Sequence, residues 1–123
     1  AQTGGVIGIN GLGIFLGEND ISNETIVRHI RHVSDLVGPE HIGFGLDYSP
    51  PVDLDLGDIL ASRPDYWPAG QQYDTRGIAH AGPHQLMDIA ELLLRSGFSD
   101  DNVRGMLGEN FMRVARQAWQ TPR

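Results

Sequence analysis

The chain has 123 residues, of which 40% are hydrophobic, a net charge of −7 and no cysteine. This length fits at most one domain, and this apolar content is enough for a packed core. An acidic chain lacks the basic stripe that a phosphate backbone requires, which argues against nucleic-acid binding. The sequence also has no apolar run long enough to span a membrane. Without cysteine, disulfides, thiolate zinc fingers and thiol nucleophiles are excluded, whereas the cellular compartment stays open.

Two short apolar segments predict β-strands. Residues 4–10 are apolar on both faces, which is typical of a parallel strand covered by helices. Residues 42–47 alternate strictly, as the two faces of a strand require. The alternation divides six residues between the faces: Ile42, Phe44 and Leu46 on one, Gly43, Gly45 and Asp47 on the other.

Helical periodicity predicts the remaining regular structure. The first helix covers residues 22–37, with Ser22 or Asn23 as its cap and Gly38-Pro39 as its end. Three more helices are predicted further along the chain, at residues 83–96, 99–107 and 109–119.

The order strand, helix, strand, long connection and helices predicts an α/β fold with a parallel sheet. Two strands do not make a stable sheet by themselves. The chain is therefore expected to be a fragment of a larger α/β barrel, or to assemble with other copies.

The connection at residues 48–83 has no clear period and holds five of the seven prolines. A connection of this length is usually functional or disordered, and its aromatic residues favour an ordered one. We interpret it as a lid or substrate loop, with Tyr48, Tyr66 and Trp67 as candidate substrate-binding residues. The alternative is an insertion packed on the rim of a barrel.

Asp47 and Asn10 are the candidate polar site residues on the strands. Asp47 ends the predicted second strand on its small-residue face, where it would point into the mouth of a barrel. The alternative, an aspartate capping the next turn, is about as frequent. Asn10 ends the first strand and has an amide to offer a substrate, although turn residues are the commoner case.

Two familiar motifs are absent on spacing grounds. Gly11, Gly13 and Gly17 do not make a dinucleotide fingerprint, because the third glycine is one place late and the helix begins only near Asn23. His29 and His32 are three residues apart, whereas a zincin helix needs histidines four apart.

Four segments together resemble the membrane dipeptidase (renal dipeptidase) family of the amidohydrolase superfamily. Their order and spacing carry the resemblance, and they cover nearly the whole chain: residues 4–10 (GGVIGIN), 33–47 (VSDLVGPEHIGFGLD), 92–99 (LLLRSGFS) and 108–114 (GENFMRV).

The resemblance implies a (β/α)₈ barrel with two zinc ions that hydrolyses dipeptides. Residues 1–123 would then be the C-terminal βα units and terminal helices of that barrel. The resemblance also implies that Asp47 ends the last barrel strand, contacts the metal and shuttles a proton between the bridging water and the leaving amine. The family's His-x-Asp pair does not occur here, and a barrel of ~250 residues would need strands upstream of Ala1. Asp47-Tyr48-Ser49-Pro50 also replaces the family's frequent Asp-Phe-Asp-Gly, which leaves the substrate preference open.

Two functions follow as hypotheses. The first is part of a zinc dipeptidase that is inactive by itself because most metal ligands lie elsewhere. The second is a non-catalytic barrel fragment that acts as an oligomerising interaction module. In either case we expect a homo-oligomer, or association with an upstream segment.

Overall fold

The computed structural model of the chain describes residues 1–50, 62–63, 65–66 and 77–119. Most of the predicted 48–83 connection, Trp67 included, lies outside the described residues. No helix in the described ranges is long and apolar enough to cross a membrane.

A pair of short parallel strands forms the sheet. β1 (Ile7–Ile9) pairs with β2 (Ile42–Phe44), and Ile7 is opposite Ile42. The predicted mixed α/β class and the parallel pairing are confirmed. Both strands are shorter than predicted, and the expected end of the second strand at Asp47 is wrong: β2 ends at Phe44, and Asp47 has the left-handed value φ 54°.

Helices follow the predicted order, with small shifts at their ends. In the described ranges the α-helices are α1 (Gly13–Leu16), α2 (Asn23–Val37), α3 (Leu86–Arg95), α4 (Asp100–Arg104) and α5 (Asn110–Trp119). Of these five, α1 was not predicted. A 3-10 turn at Pro83–Gln85 precedes α3, and a wide turn at Gly105–Glu109 joins α4 to α5.

Helix α2 begins and ends as its sequence indicates. The Ser22 hydroxyl accepts a hydrogen bond from the Thr25 N–H, which satisfies one of the free donors of the first turn. At the other end Gly38 has φ 94°, a left-handed value that glycine adopts without strain.

The core lies on one face of the sheet. Ile9 and Ile42 are buried there against side chains of α2, α3 and the α4–α5 region. The fully buried members of this core include Ile26, Ile30, Ile89, Leu93 and Met106. The apolar face that the alternation predicted for the second strand is the buried one, since Ile42 belongs to this cluster and Phe44 and Leu46 pack against it.

Candidate active site at the carboxyl end of the strands

Three stretches of backbone meet at the carboxyl end of the strands. The Gly45 N–H donates to the Ile9 carbonyl at 3.0 Å, which extends the contact between the strands beyond β2. The returning connection then joins this edge, because the Ala81 N–H donates to the Gly11 carbonyl at 2.8 Å. The Gly13 N–H donates to the Ala79 carbonyl at 2.9 Å. Residues 9–13, 45–48 and 79–82 therefore form one edge, although they are far apart in sequence.

Gly11 is the point of closest approach at this edge. A Cβ on Gly11 would lie 2.6 Å from the Leu46 carbonyl oxygen and 3.1 Å from the Ala81 Cβ. Such distances are below ordinary van der Waals contact, so a larger residue would push the segments apart. This close approach, rather than a phosphate, accounts for Gly11.

Asp47 is exposed at this edge. Among the described residues, its carboxylate has no hydrogen bond or ion pair that would make it a turn cap. Its positive φ is a backbone state that aspartate and asparagine tolerate better than most residues. The carboxylate is thus accessible at the carboxyl end of β2, and its catalytic role stays a prediction.

Asn10 has a structural partner. Its side-chain oxygen accepts a hydrogen bond from the Leu12 N–H at 2.7 Å, which is the local turn that asparagine often makes. This contact positions the start of α1. A substrate contact through the remaining amide N–H stays a prediction.

The aromatic candidates occupy different places. Tyr48 is 47% exposed and lies at the edge, where a Cβ on Gly82 would be 3.7 Å from its Cε2. Tyr66 is also exposed, and the Arg63 guanidinium lies 4.6 Å from its ring centroid. Tyr48 thus follows Asp47 directly in the sequence and lies at the same edge. The structure gives no corresponding placement for Tyr66, and Trp67 lies outside the described residues.

Two polar side chains that the sequence analysis missed hold the returning segment in place. The Asn19 side-chain oxygen accepts from the Ala79 N–H at 2.9 Å, and its amide donates to the Gly77 carbonyl at 3.0 Å. Gln85 accepts from the Gly82 N–H at 3.0 Å. Its amide group donates to the Ile21 carbonyl and to the Asn23 side chain, each at 2.9 Å. Apart from the local Gly82–Gln85 bond, these partners are 58 to 64 residues apart in sequence, so no local pattern could have found them.

Asp20 stabilises the turn that precedes α2. Hydrogen bonds from the Thr25 hydroxyl, and from the N–H and hydroxyl of Ser22, hold the pKa of the Asp20 carboxyl below its usual value. The ionised carboxylate is therefore committed to this turn rather than available to a ligand.

A metal centre does not fit the described residues. Within that part of the chain no three His, Asp or Glu side chains come together as a metal site would require. A protein zinc site takes three or four such ligands, so Asp47 would be one contributor at most.

The first half of the chain, residues 1–63, matches the model of the membrane dipeptidase family (Peptidase family M19). The chain belongs to the membrane dipeptidase family. The matched region contains both strands, α2 and Asp47.

Two curated relatives of this family member extend the comparison. Dipeptidase verJ of Clonostachys rogersoniana is 31% identical over 91 residues, which are 74% of the chain and 18% of that protein. An uncharacterized protein in the pqqA 5′ region of Klebsiella pneumoniae is 27% identical over 125 residues, 97% of the chain and 37% of that protein. The chain thus spans less than two fifths of either relative. No solved structure gives a significant match.

Proposed function

We propose that this chain is the C-terminal part of a (β/α)₈-barrel dipeptidase and contributes Asp47 to its active site. The observation that carries the proposal is the position of Asp47: an exposed carboxylate just beyond β2, at the carboxyl end of parallel strands. In barrels of this kind the chemistry is located at that end. Family membership and the dipeptidase named among the relatives support the same reaction.

The role proposed for Asp47 is proton transfer. Peptide hydrolysis requires a water molecule to lose a proton as its oxygen attacks the carbonyl carbon. The amine needs a proton as the C–N bond breaks. A carboxylate close to both can accept the first proton and return it to the amine, which is general base and general acid catalysis by one group.

Zinc binding is proposed only for the complete enzyme, as the family resemblance implies two ions. The described residues do not form a metal site, and the proposal takes most of the ligands from other strands of the barrel. Asp47 is the one metal ligand that we assign to this chain.

The two-stranded sheet supports the barrel proposal independently of Asp47. In the described part of the chain, β1 and β2 pair with each other and each leaves its other edge open. Ile7 of β1 is 47% exposed, although Ile9, two residues further along the same strand, is in the core. Further strands, or a second copy of the chain, would cover such edges.

The experiment is a comparison of two preparations with added zinc and a simple dipeptide as substrate. The complete native protein should hydrolyse the dipeptide, whereas the 123-residue chain should not. Turnover by the chain at an ordinary enzyme rate would contradict the proposed division of the site. Lack of turnover by the complete protein would favour the interaction-module alternative.

A further inference from the structure

His84 is held against the backbone at the proposed active-site edge. A Cβ on Gly82 would lie 2.6 Å from both Cε1 and Nδ1 of the His84 ring, so the imidazole occupies the space that any larger residue would need. Gly82 has the extended values φ −111° and ψ 161°, which any residue adopts. The backbone conformation does not require glycine here, and a larger residue would be accommodated only if the exposed His84 ring moved aside.

The Tyr48 ring lies on the same glycine. The Gly82 Cβ position is 3.7 Å from Tyr48 Cε2, which is ordinary van der Waals contact. Both rings therefore lie within 4 Å of one point of the edge, the Gly82 Cβ position, and Tyr48 is the residue next to Asp47. Both side chains are exposed, so each keeps a face turned towards solvent.

The segment that carries His84 is fixed on several sides. The Gln85 N–H donates to the Gly82 carbonyl at 3.0 Å, and the Gln85 side chain accepts from the Gly82 N–H at 3.0 Å. The same side chain reaches the backbone of Ile21 and the side chain of Asn23. A ring on so constrained a turn loses little conformational freedom when a ligand binds.

We infer that Tyr48 and His84 form an aromatic wall of the active site that recognises an aromatic side chain of the dipeptide. The inference rests on the proposed function and names the substrate class of the same site. Tyrosine and histidine rings offer flat surfaces with few rotatable bonds, and ring–ring contacts add affinity beyond the burial of area. Both rings can therefore stack on an aromatic ring of the substrate.

The test measures kcat/KM of the complete native protein for Ala-Phe and Phe-Ala, each relative to Ala-Ala. His84→Ala should lower the larger of these two kcat/KM ratios by about fivefold, which corresponds to the loss of one aromatic contact. His84→Phe should keep most of the ratio, because it keeps a flat ring. Gly82→Ala should lower the ratio as well, because the added Cβ displaces the ring without removing it.

His32→Ala is the matched control, since His32 is an exposed histidine of α2 outside this edge. Unchanged ratios in both His84→Ala and Gly82→Ala would overturn the inference. So would an equal loss for all three dipeptides, which would indicate a role in folding or chemistry. A complete protein that hydrolyses none of the dipeptides would overturn the proposed function itself, and the inference with it.

Discussion

The Phe111 ring of α5 lies directly on Gly43 of β2. A Cβ on Gly43 would be 2.2 Å from Phe111 Cε2, and a Cβ on Gly8 of β1 would be 3.7 Å from Phe111 Cζ. The glycine face of the sheet is thus covered in part by one aromatic ring. The small residues of this face make room for Phe111, a long-range partner that strand alternation could not reveal.

Gly43→Ala should therefore lower the free energy of unfolding of the native protein by about 1–3 kcal/mol, as overpacking usually does. Chemical denaturation gives the value. Gly5→Ala is the matched control, because only Thr3 lies near its Cβ position, at 3.9 Å. Equal stability of the two variants would show that the Phe111 ring moves aside without cost.

Asn110→Asp should be more destabilising than its small change in shape indicates. The buried Asn110 amide donates to the Ile42 carbonyl at 2.7 Å and to the Pro39 carbonyl at 3.0 Å. Aspartate would replace this donor with an oxygen facing two carbonyl oxygens. We expect a loss of about 2–4 kcal/mol in the free energy of unfolding.

Asn102→Asp is the control for this change. The Asn102 side-chain oxygen accepts from the Ser99 N–H at 3.3 Å, and aspartate keeps that acceptor. Near the start of α4 a carboxylate is also favoured by the helix dipole. If both variants lost similar stability, the pairing of Asn110 with the two carbonyls would be of little consequence.

Asp20→Asn should make the free energy of unfolding less sensitive to acid. Because the folded-state pKa of Asp20 is lowered, its contribution is present above the unfolded pKa of about 4 and disappears as the pH falls through the folded value. The free energy of unfolding, measured between about pH 2 and pH 6, should fall less steeply below about pH 4 in the variant. Thr25→Val, which removes the principal donor to Asp20, should show part of the same change. Parallel curves for wild type and Asp20→Asn would contradict this assignment.

Asp47→Asn in the complete protein should reduce kcat/KM for dipeptides by about 10²–10⁴-fold, the usual contribution of a general acid–base group. The fold should be unchanged, because asparagine tolerates the left-handed backbone at this position as aspartate does. Circular dichroism checks the fold and steady-state kinetics check the rate. Near-normal turnover would mean that Asp47 is not catalytic.

The isolated 123-residue chain should associate with itself. Its strand edges are open in the described part of the chain. Apolar side chains such as Phe111, Met112 and Ile7 are 41%, 45% and 47% exposed. A closed two-fold dimer is the commonest arrangement for copies of one chain. Light scattering measures the mass, and a folded, cooperative monomer would contradict the barrel-fragment proposal.

Local patterns in the sequence determined the type and order of the main elements. Ser22, Glu24 and Gly38 predicted the ends of α2, and the periodic apolar residues predicted its buried face, because caps and periodicity act within a few residues. The resemblance in the segments containing both strands led to the membrane dipeptidase family, which the comparison confirmed.

Only the tertiary structure decided how the candidate site is assembled. It ended β2 before Asp47 and brought Gly82 and His84 to Tyr48. It also paired Asn19 and Gln85 with backbone groups about 60 residues away. Such contacts depend on where distant segments pack, and neither spacing nor periodicity along one chain encodes that packing. The sequence by itself therefore determined the elements and the family, whereas the folded chain decided which side chains share an edge.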